Sequence, residues 1–437
     1  MIIDEKILDN GMTDLILSKL IARHSTEQER FEKLYNYYIG KHDICFRRRS
    51  SERIANNKIV CNHAKYIVDI AKSYLVGNPV TYSCSEGYDI EAVKNSYALQ
   101  DIASIDAELE KTMSIYGKAY EMVYSDEESQ PKSVCLPPTN TFMVYGTGVG
   151  EVPLCGIHYY KKRDIDGSVT GTCCIICDNS CIYTYENDTD SFIHMTKTEE
   201  HPHYFGKIPM VEYRNNEERQ GDFEQMIPLI DAYNILESDR VNDKEQFVDA
   251  FLFLIGIDLD SEQAKKLREE RILMGYEGAG AEYLSKVMSE SDVQVLRDSL
   301  KTDIHRFSMI PDLTDQTFGT NLSGVAIKYK LMGFEQHVRN KERYFTKALK
   351  QRFELYDNFL SLKGAMEYVP LHRIDVVFTR NLPVNELETS QMVKNLAGIA
   401  TSETLLSQLS FVGDPKEEAQ LASKERMLNE QMKETQV

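Results

Sequence analysis

The run Ile304-His-Arg-Phe-Ser-Met-Ile-Pro-Asp-Leu-Thr-Asp315, followed by Ser323-Gly-Val-Ala-Ile-Lys-Tyr-Lys-Leu331, joins two long helical segments, and its reading decides the fold. Upstream, Leu296, Leu300, Ile304 and Phe307 recur at helical spacing, which predicts an amphipathic helix over 292–308. Pro311 disfavours the helical conformation at Ile310 and has no N–H to donate, so a loop over 309–322 follows. Ser323 is a good N-cap. After it Val338, Phe345, Leu349, Phe353, Tyr356 and Leu360 hold the helical period as far as Gly364. At 1.5 Å per residue, about forty residues make a rod of roughly 60 Å. Lys328, Lys330, Glu335, Arg339, Lys341, Glu342, Arg343 and Lys347 keep that rod out of a membrane, which demands about 20 mostly apolar residues. Gly333 interrupts any coiled-coil repeat at a cost of about 1 kcal/mol relative to Ala. The rod therefore reads as a strut packed against several neighbours, with Gly333 a bend or a close-contact point.

Working outward, 437 residues with 42% hydrophobic and 27% charged composition describe a globular chain of roughly two to four compact units. Its start, Met-Ile-Ile-Asp-Glu-Lys, has no basic region followed by an apolar run, and no apolar stretch approaches the length of a membrane span. Neither a cleaved signal nor a membrane-spanning segment is expected. The nine cysteines, an odd number, predict reduced thiols in a cytoplasm. The formal net charge of −19 argues against a protein that grips nucleic acid through its phosphates, since such binding calls for a basic face.

Residues 1–40 read as mostly helical, with a turn at Ser25-Thr-Glu-Gln-Glu29, Phe31, Leu34, Tyr35 and Tyr38 on one face, and a stop at Gly40. Arg47-Arg-Arg49 reads as a solvated loop before it reads as a phosphate site. Asn62 caps a helix with Tyr66, Ile67 and Ile70 inward, closed by Gly77-Asn-Pro79. From Ile115 to Tyr213 the period shifts to short β-runs, with turns at Asp166-Gly167 and Asp178-Asn179. Cys173, Cys174, Cys177 and Cys181 are the one thiol cluster, with His194, His201 and His203 near in sequence. Their spacing is not that of paired zinc knuckles, and adjacent strand residues face opposite ways, so they read as small buried hydrophobes.

Met226–Phe251 reads as a helix with Ile230, Tyr233, Leu236, Val241 and Phe247 on an apolar side and Asp231, Glu237, Asp239 and Asp243 on a solvated acidic side. Strands are expected at Phe251–Gly256 and Tyr283–Val287, with a short helix over Glu262–Arg271 and a loop over Gly275–Gly280 between them. His372–Pro383 returns one strand, and Ser402 and Asp414 cap further helices, the latter with Pro415 behind it.

The opening run, Asn56-Asn-Lys-Ile-Val-Cys-Asn62, Gly77-Asn-Pro79, Gly117-Lys-Ala-Tyr-Glu121 and Pro209-Met-Val-Glu-Tyr-Arg-Asn-Asn216 together resemble, in wording and order, the phage portal proteins of long-tailed phages and prophages of Gram-positive bacteria. The resemblance implies an α+β portal fold with a mixed α/β wing, a two-helix stem, a small αβ clip, a long kinked wing helix and a helical crown. Its divisions would be amino-terminal helices and wing over 1–223, first stem helix over 224–251, clip over 252–291 and second stem helix over 292–308. A tunnel loop over 309–322, the long wing helix over 323–364, a wing strand over 365–385, and a crown and tail over 386–437 would complete it. It further implies a tunnel loop facing DNA through Pro311, Asp312, Asp315, Thr317, Phe318, Gly319 and Asn321, and a stem facing the channel through Lys301, His305 and Arg306.

The partners implied are further copies of the chain in a ring, a dodecamer, with double-stranded DNA passing through it. Terminase large subunit, a head-completion or connector protein, and major capsid and scaffold proteins complete the set, with no membrane. The implied location is the portal vertex of the virion, reached through the host cytoplasm. No enzyme, cofactor, metal or catalytic residue is expected, since the chain has no Gly-Lys-Ser/Thr phosphate loop and no Gly-x-Ser-x-Gly elbow. The competing readings are a nucleic-acid-processing or metal-binding enzyme using Cys173–Cys181 or Asp312 and Asp315, and a domesticated prophage scaffold.

Overall fold

A computed structural model describes the chain except residues 10, 50–54, 86, 249–250, 256–279, 285–289, 315–326, 328, 381–385, 410 and 435–437. It divides into two compact units, one of Met1–Ile39, Ala64–Gln225 and His305–Val437, the other of Gly40–His63 and Met226–Ile304.

In chain order the first unit opens with β1 (Ile2–Ile3), α1 (Asp14–Ser25) and α2 (Gln28–Tyr38). Next come α3 (His63–Val76), β2 (Thr81–Cys84), α4 (Glu91–Leu99) and α5 (Ile102–Tyr116). The β-rich region predicted from Ile115 is β3 (Lys118–Ser125), β4 (Pro131–Leu136), β5 (Thr141–Gly146), β6 (Pro153–Arg163), β7 (Val169–Cys177), β8 (Cys181–Asn187), β9 (Thr196–Pro202) and β10 (Met210–Arg214). One sheet runs β1-β5-β6-β7-β8-β9, antiparallel except for the β1–β5 pair; a second runs β10-β3-β4. Every residue of β5 is buried, which is why Phe142-Met-Val-Tyr145 reads as an unbroken apolar run and not an alternation. Leu17, Leu20 and Ile21 of α1 join Phe142, Val144, Ile157 and Ile176 in the core. Gly156 permits the close approach of Met210: a Cβ there would lie 2.6 Å from the Met210 sulfur and 2.9 Å from its Cβ. Gly117, at φ +83°, turns α5 into β3 where a side chain would strike the Arg219 carbonyl.

Of the four cysteines expected to be buried, Cys173, Cys174 and Cys177 are, while Cys181, at the start of β8, is only half-buried. Cys155, Cys174 and Cys177 sit in this core, while Cys173 is buried outside that cluster. Burial pushes the Cys155 thiol up to about 12 and raises those of Cys174 and Cys177, so they act as protonated apolar groups. The reading of α2 needs correction. Its inward residues are Phe31, Leu34 and Tyr37, whereas Tyr35 is 47% exposed, because the helix starts afresh at Gln28 and its buried stripe runs in steps of three.

The long helix is α8 (Met332–Leu362), with Val338, Phe345, Leu349, Phe353, Tyr356 and Leu360 all buried as the period predicts. Nothing lies within 4 Å of where a Cβ on Gly333 would stand, so no close contact within the described chain explains that glycine. Sequence periodicity does not reveal that α8 also buries charge. Arg352 meets Asp106 at 2.6 Å and Glu121 at 3.4 Å and donates to the Tyr82 hydroxyl at 2.8 Å. Lys341 meets Glu110 at 2.6 Å and Asp222 at 2.7 Å. These pairs tie α8 to α5 and to the residues after β10. Past α8, β13 (Ile374–Val377) pairs antiparallel with β2, and α9 (Glu386–Leu396), α10 (Ser402–Leu406) and α11 (Pro415–Glu434) follow. Thr401, not Ser402, caps α10, its hydroxyl accepting from the Thr404 N–H; Asp414 caps α11 as expected.

The second unit contains α6 (Ile227–Val248), the antiparallel pair β11 (Phe251–Ile255) and β12 (Gly280–Leu284), and most of α7 (Glu290–Ser308). β12 lies three residues ahead of the expected Tyr283–Val287. The expected helix over Glu262–Arg271 falls outside the described residues, as does the loop to Gly280 but for that last glycine. Of the apolar side predicted for α6, Ile230 and Tyr233 are buried and Leu236 and Val241 half-buried, while the Phe247 side chain lies outside the described residues. The rest of its buried face is Asn234, Ser238 and Asn242, spaced four apart. Asn234 Oδ1, Ser238 Oγ and Asn242 Oδ1 accept from the backbone N–H groups of Cys61, Ile59 and Asn57 at 2.8, 3.0 and 2.7 Å. Four helical residues rise about 6.0 Å and two extended residues about 6.6 Å, so an extended strand can be held on a helix one alternate residue per turn. This gives a physical role to the Asn56–Asn62 motif. The acidic side of α6 is not simply solvated either: Asp239 pairs with both Arg47 and Arg49 at 2.8 Å, and Glu237 with Arg297 at 2.6 Å. Arg47 and Arg49 are thereby tied to a carboxylate of their own chain.

Candidate functional site

The predicted site lies where α7 ends. Of its apolar stripe only Ile304 is buried; Leu296 and Phe307 are 50% and 60% exposed. The helix stops at Met309, whose φ of +58° is left-handed and whose N–H reaches the Arg306 carbonyl at 3.3 Å. Ile310 is fully buried, its N–H donating to Ser308 Oγ at 3.3 Å and its carbonyl lying 3.1 Å from His305 Nδ1. The acceptor there is a carbonyl, so His305 Nδ1 carries the proton.

Tyr66 of α3 holds the next residues. Its hydroxyl donates to the Pro311 carbonyl at 3.1 Å and accepts from the Leu313 N–H at 2.9 Å, and its ring meets the His305 ring edge-on at 5.6 Å. Asp312 Oδ1 accepts from the Thr314 N–H at 3.1 Å, closing a local turn. His305, Pro311 and Asp312 are thus brought together, but as a hydrogen-bonded support, with Asp312 organising backbone. Lys301 is half-buried and engaged, and Arg306 is exposed. Asp315, Thr317, Phe318, Gly319 and Asn321, with the expected cap Ser323, fall outside the described residues.

The other end of this segment is held by the same helix. Tyr74 donates to Glu335 Oε2 at 2.6 Å and stacks at a tilt on Phe334, both in the first turn of α8. Arg380 meets Glu335 at 3.3 Å, also pairs with Glu342, and lies 5.5 Å above the Tyr74 ring. Burial, then the bond to Glu335, raises the Tyr74 hydroxyl well above its ordinary range and keeps it a donor. Helical periodicity marks Tyr66 only as an inward residue and does not single out Tyr74. The available signal is chemical, since a tyrosine on the inward face of a helix needs a partner for its hydroxyl.

Elsewhere, a cleft of about 860 Å³ lies beside β10 and α8, lined by Tyr145, Met210, Tyr344 and Leu355 among others. Its Arg214 pairs with Glu151 and Glu212 and its Lys207 with Glu354, an arrangement of mutually neutralised charges unlike an acid–base pair. Among the described residues, no group of three or more His, Cys, Asp or Glu side chains is placed to hold a metal ion, and no helix is long and apolar enough to cross a membrane.

Comparison with known proteins adds identity at the level of family. A family model described as "Phage portal protein, SPP1 Gp6-like" matches residues 17–432. The portal protein of Bacillus phage SPP1 is 26% identical over 443 aligned residues, covering 95% of this chain and 86% of that protein. The portal protein of Clostridium phage phiCD119 is 22% identical over 446, covering 94% and 95% respectively.

Proposed function

The chain belongs to the SPP1 Gp6-like family of phage portal proteins, and from that premise we propose how its own parts serve a ring at the capsid vertex through which double-stranded DNA is packaged and ejected. The portal function and its homo-oligomeric ring come with the family. The finer reading is our own. α6 and α7 form the stem, β11 and β12 belong to the clip, 309–322 is the tunnel loop, α8 is the wing helix, and α9 to α11 form the crown. The ring is a dodecamer; its clip receives the terminase large subunit and later a head-completion protein, and its outer parts meet capsid and scaffold proteins. Pro311, Asp312, Asp315, Thr317, Phe318, Gly319 and Asn321 face the DNA, as do Lys301 and Arg306 of the stem. His305 is assigned instead to supporting the loop.

The observation that carries this reading is the family match across nearly the whole chain, with the helix–loop–helix at its centre. The exposed Leu296 and Phe307 support it further, since an apolar stripe left open on a charged helix suits burial against another copy. Electron microscopy of the purified protein is expected to reveal closed rings with a central hole. Sedimentation finding only monomers and dimers at micromolar concentration, with and without scaffold protein, would overturn the ring.

A further inference from the structure

We infer that α3 is a brace for the segment that joins α7 to α8, and that Tyr66 and Tyr74 are positioning residues that hold the first residues of the tunnel loop and the first turn of α8 a set distance apart during DNA translocation. The inference rests on the assignment of 309–322 as the loop that meets DNA. Tyr66 grips the chain just after α7 through two hydrogen bonds to backbone groups two residues apart, Pro311 C=O and Leu313 N–H. Tyr74 grips the first turn of α8 through Glu335, which Arg380 also holds. Eight residues separate the tyrosines, so the helix sets their backbone positions about 12 Å apart along its axis. A helix is stiff over that length. α3 is itself anchored, with Ala64, Ile67, Val68, Ala71 and Leu75 fully buried.

Both grips are polar contacts at the rim of a packed helix, and their chemistry fits that task. A hydroxyl offers one donor and two acceptor positions, so Tyr66 can hold a carbonyl and an N–H at once, which no apolar side chain could do. The left-handed Met309 and the buried Ile310 sit directly before that grip, so the chain leaves α7 in one defined direction. A load on the loop from moving DNA would be passed to α3 instead of bending the end of α7 or the start of α8.

The test uses full-length rings carrying Tyr66→Phe, Tyr74→Phe or both, with Tyr38→Phe as control. Tyr38, on α2, donates to Asp69 of α3, and neither grip uses that bond. Imaging first establishes ring formation, then DNA packaging is measured in a reconstituted system, with amide hydrogen exchange followed across 309–314. Expected are intact rings, at least tenfold faster exchange at the Leu313 amide in Tyr66→Phe, and a several-fold drop in packaging rate that deepens in the double variant. The control is expected to behave as the parent. Parent-like packaging in the double variant, unchanged exchange at Leu313, or a packaging loss no larger than the loss of rings would each overturn the brace. Parent protein that forms no rings would instead sink the portal assignment.

Discussion

At the scale of single residues, Lys341 shows how much of the first unit's stability depends on charge that a hydrophobic pattern hides. It is buried between Glu110 and Asp222, with His337 3.6 Å from Asp222. Burial would raise Asp222, but Lys341 and His337 outweigh it and hold the carboxyl well below its usual range; burial wins at Glu110, whose pKa is raised. The depressed Asp222 contributes stability above the unfolded carboxylate pKa, near 4, that is lost as the pH falls through its folded value. Glu110 acts in the opposite direction. Lys341→Met would leave two buried carboxylates without their cation, at a cost of about 3–5 kcal/mol at pH 7. Both carboxyl pKa values would then rise, with His337 still opposing the rise at Asp222, so the folded variant would bind more protons than the folded parent and its deficit would shrink as the pH falls. Thermal unfolding at pH 7 and pH 5 checks this: the variant should regain part of its deficit at pH 5, and a deficit that stays constant or grows would mean the carboxylates are not what the lysine neutralises.

At the scale of elements, α6 and α8 mark what a hydrophobic period can and cannot read. Every apolar position picked on α8 is buried, because that helix packs its stripe on sheet and helix and the pattern records it. On α6 the same method chose Leu236 and Val241, while the fold buries Asn234, Ser238 and Asn242, because what lies against them is bare backbone that must be hydrogen-bonded. A period of four in short polar residues, opposite an extended motif, was in the sequence to be read. β9 escaped for the opposite reason: all seven of its residues are exposed and it shows no apolar alternation. The grip of α6 is testable through Ser238, which accepts from Ile59 and itself donates to the Asn234 carbonyl at 2.7 Å. Ser238→Ala should cost about 1 kcal/mol by leaving a half-buried N–H without its acceptor. Hydrogen exchange should rise at Ile59 first and spread to Asn57 and Cys61. Exchange at Ile59 equal to the parent's would mean that the serine is not its acceptor in solution.

At the scale of the whole molecule, a net charge of −19 per chain, multiplied around a ring, sets a field that repels DNA, which a conduit needs if its cargo is to slide. The segment proposed as the tunnel loop agrees with that field. Residues 309–322 include Asp312 and Asp315 and no Lys or Arg, so they neutralise no phosphate and add nothing to a salt-dependent affinity. The two aspartates are not equivalent as sites for a test, because Asp312 holds the Thr314 N–H and a lysine there would break the turn as well as reverse the charge. Asp312→Asn keeps an acceptor and removes only the charge, so it should package nearly as the parent does. Asp315→Lys should leave rings intact, add a phosphate contact per chain, steepen the fall of DNA affinity with salt by about 0.9 per contact made, and slow or stall packaging. Gly319→Val should impair packaging with no such gain in binding, because the change restricts backbone without adding charge. Rings of all three variants would be compared for DNA binding between 50 and 200 mM salt, about the range where counterion release dominates, and for packaging. If Asp315→Lys and Gly319→Val both package like the parent, the loop does not face the DNA, and the channel must be lined by another part of the chain.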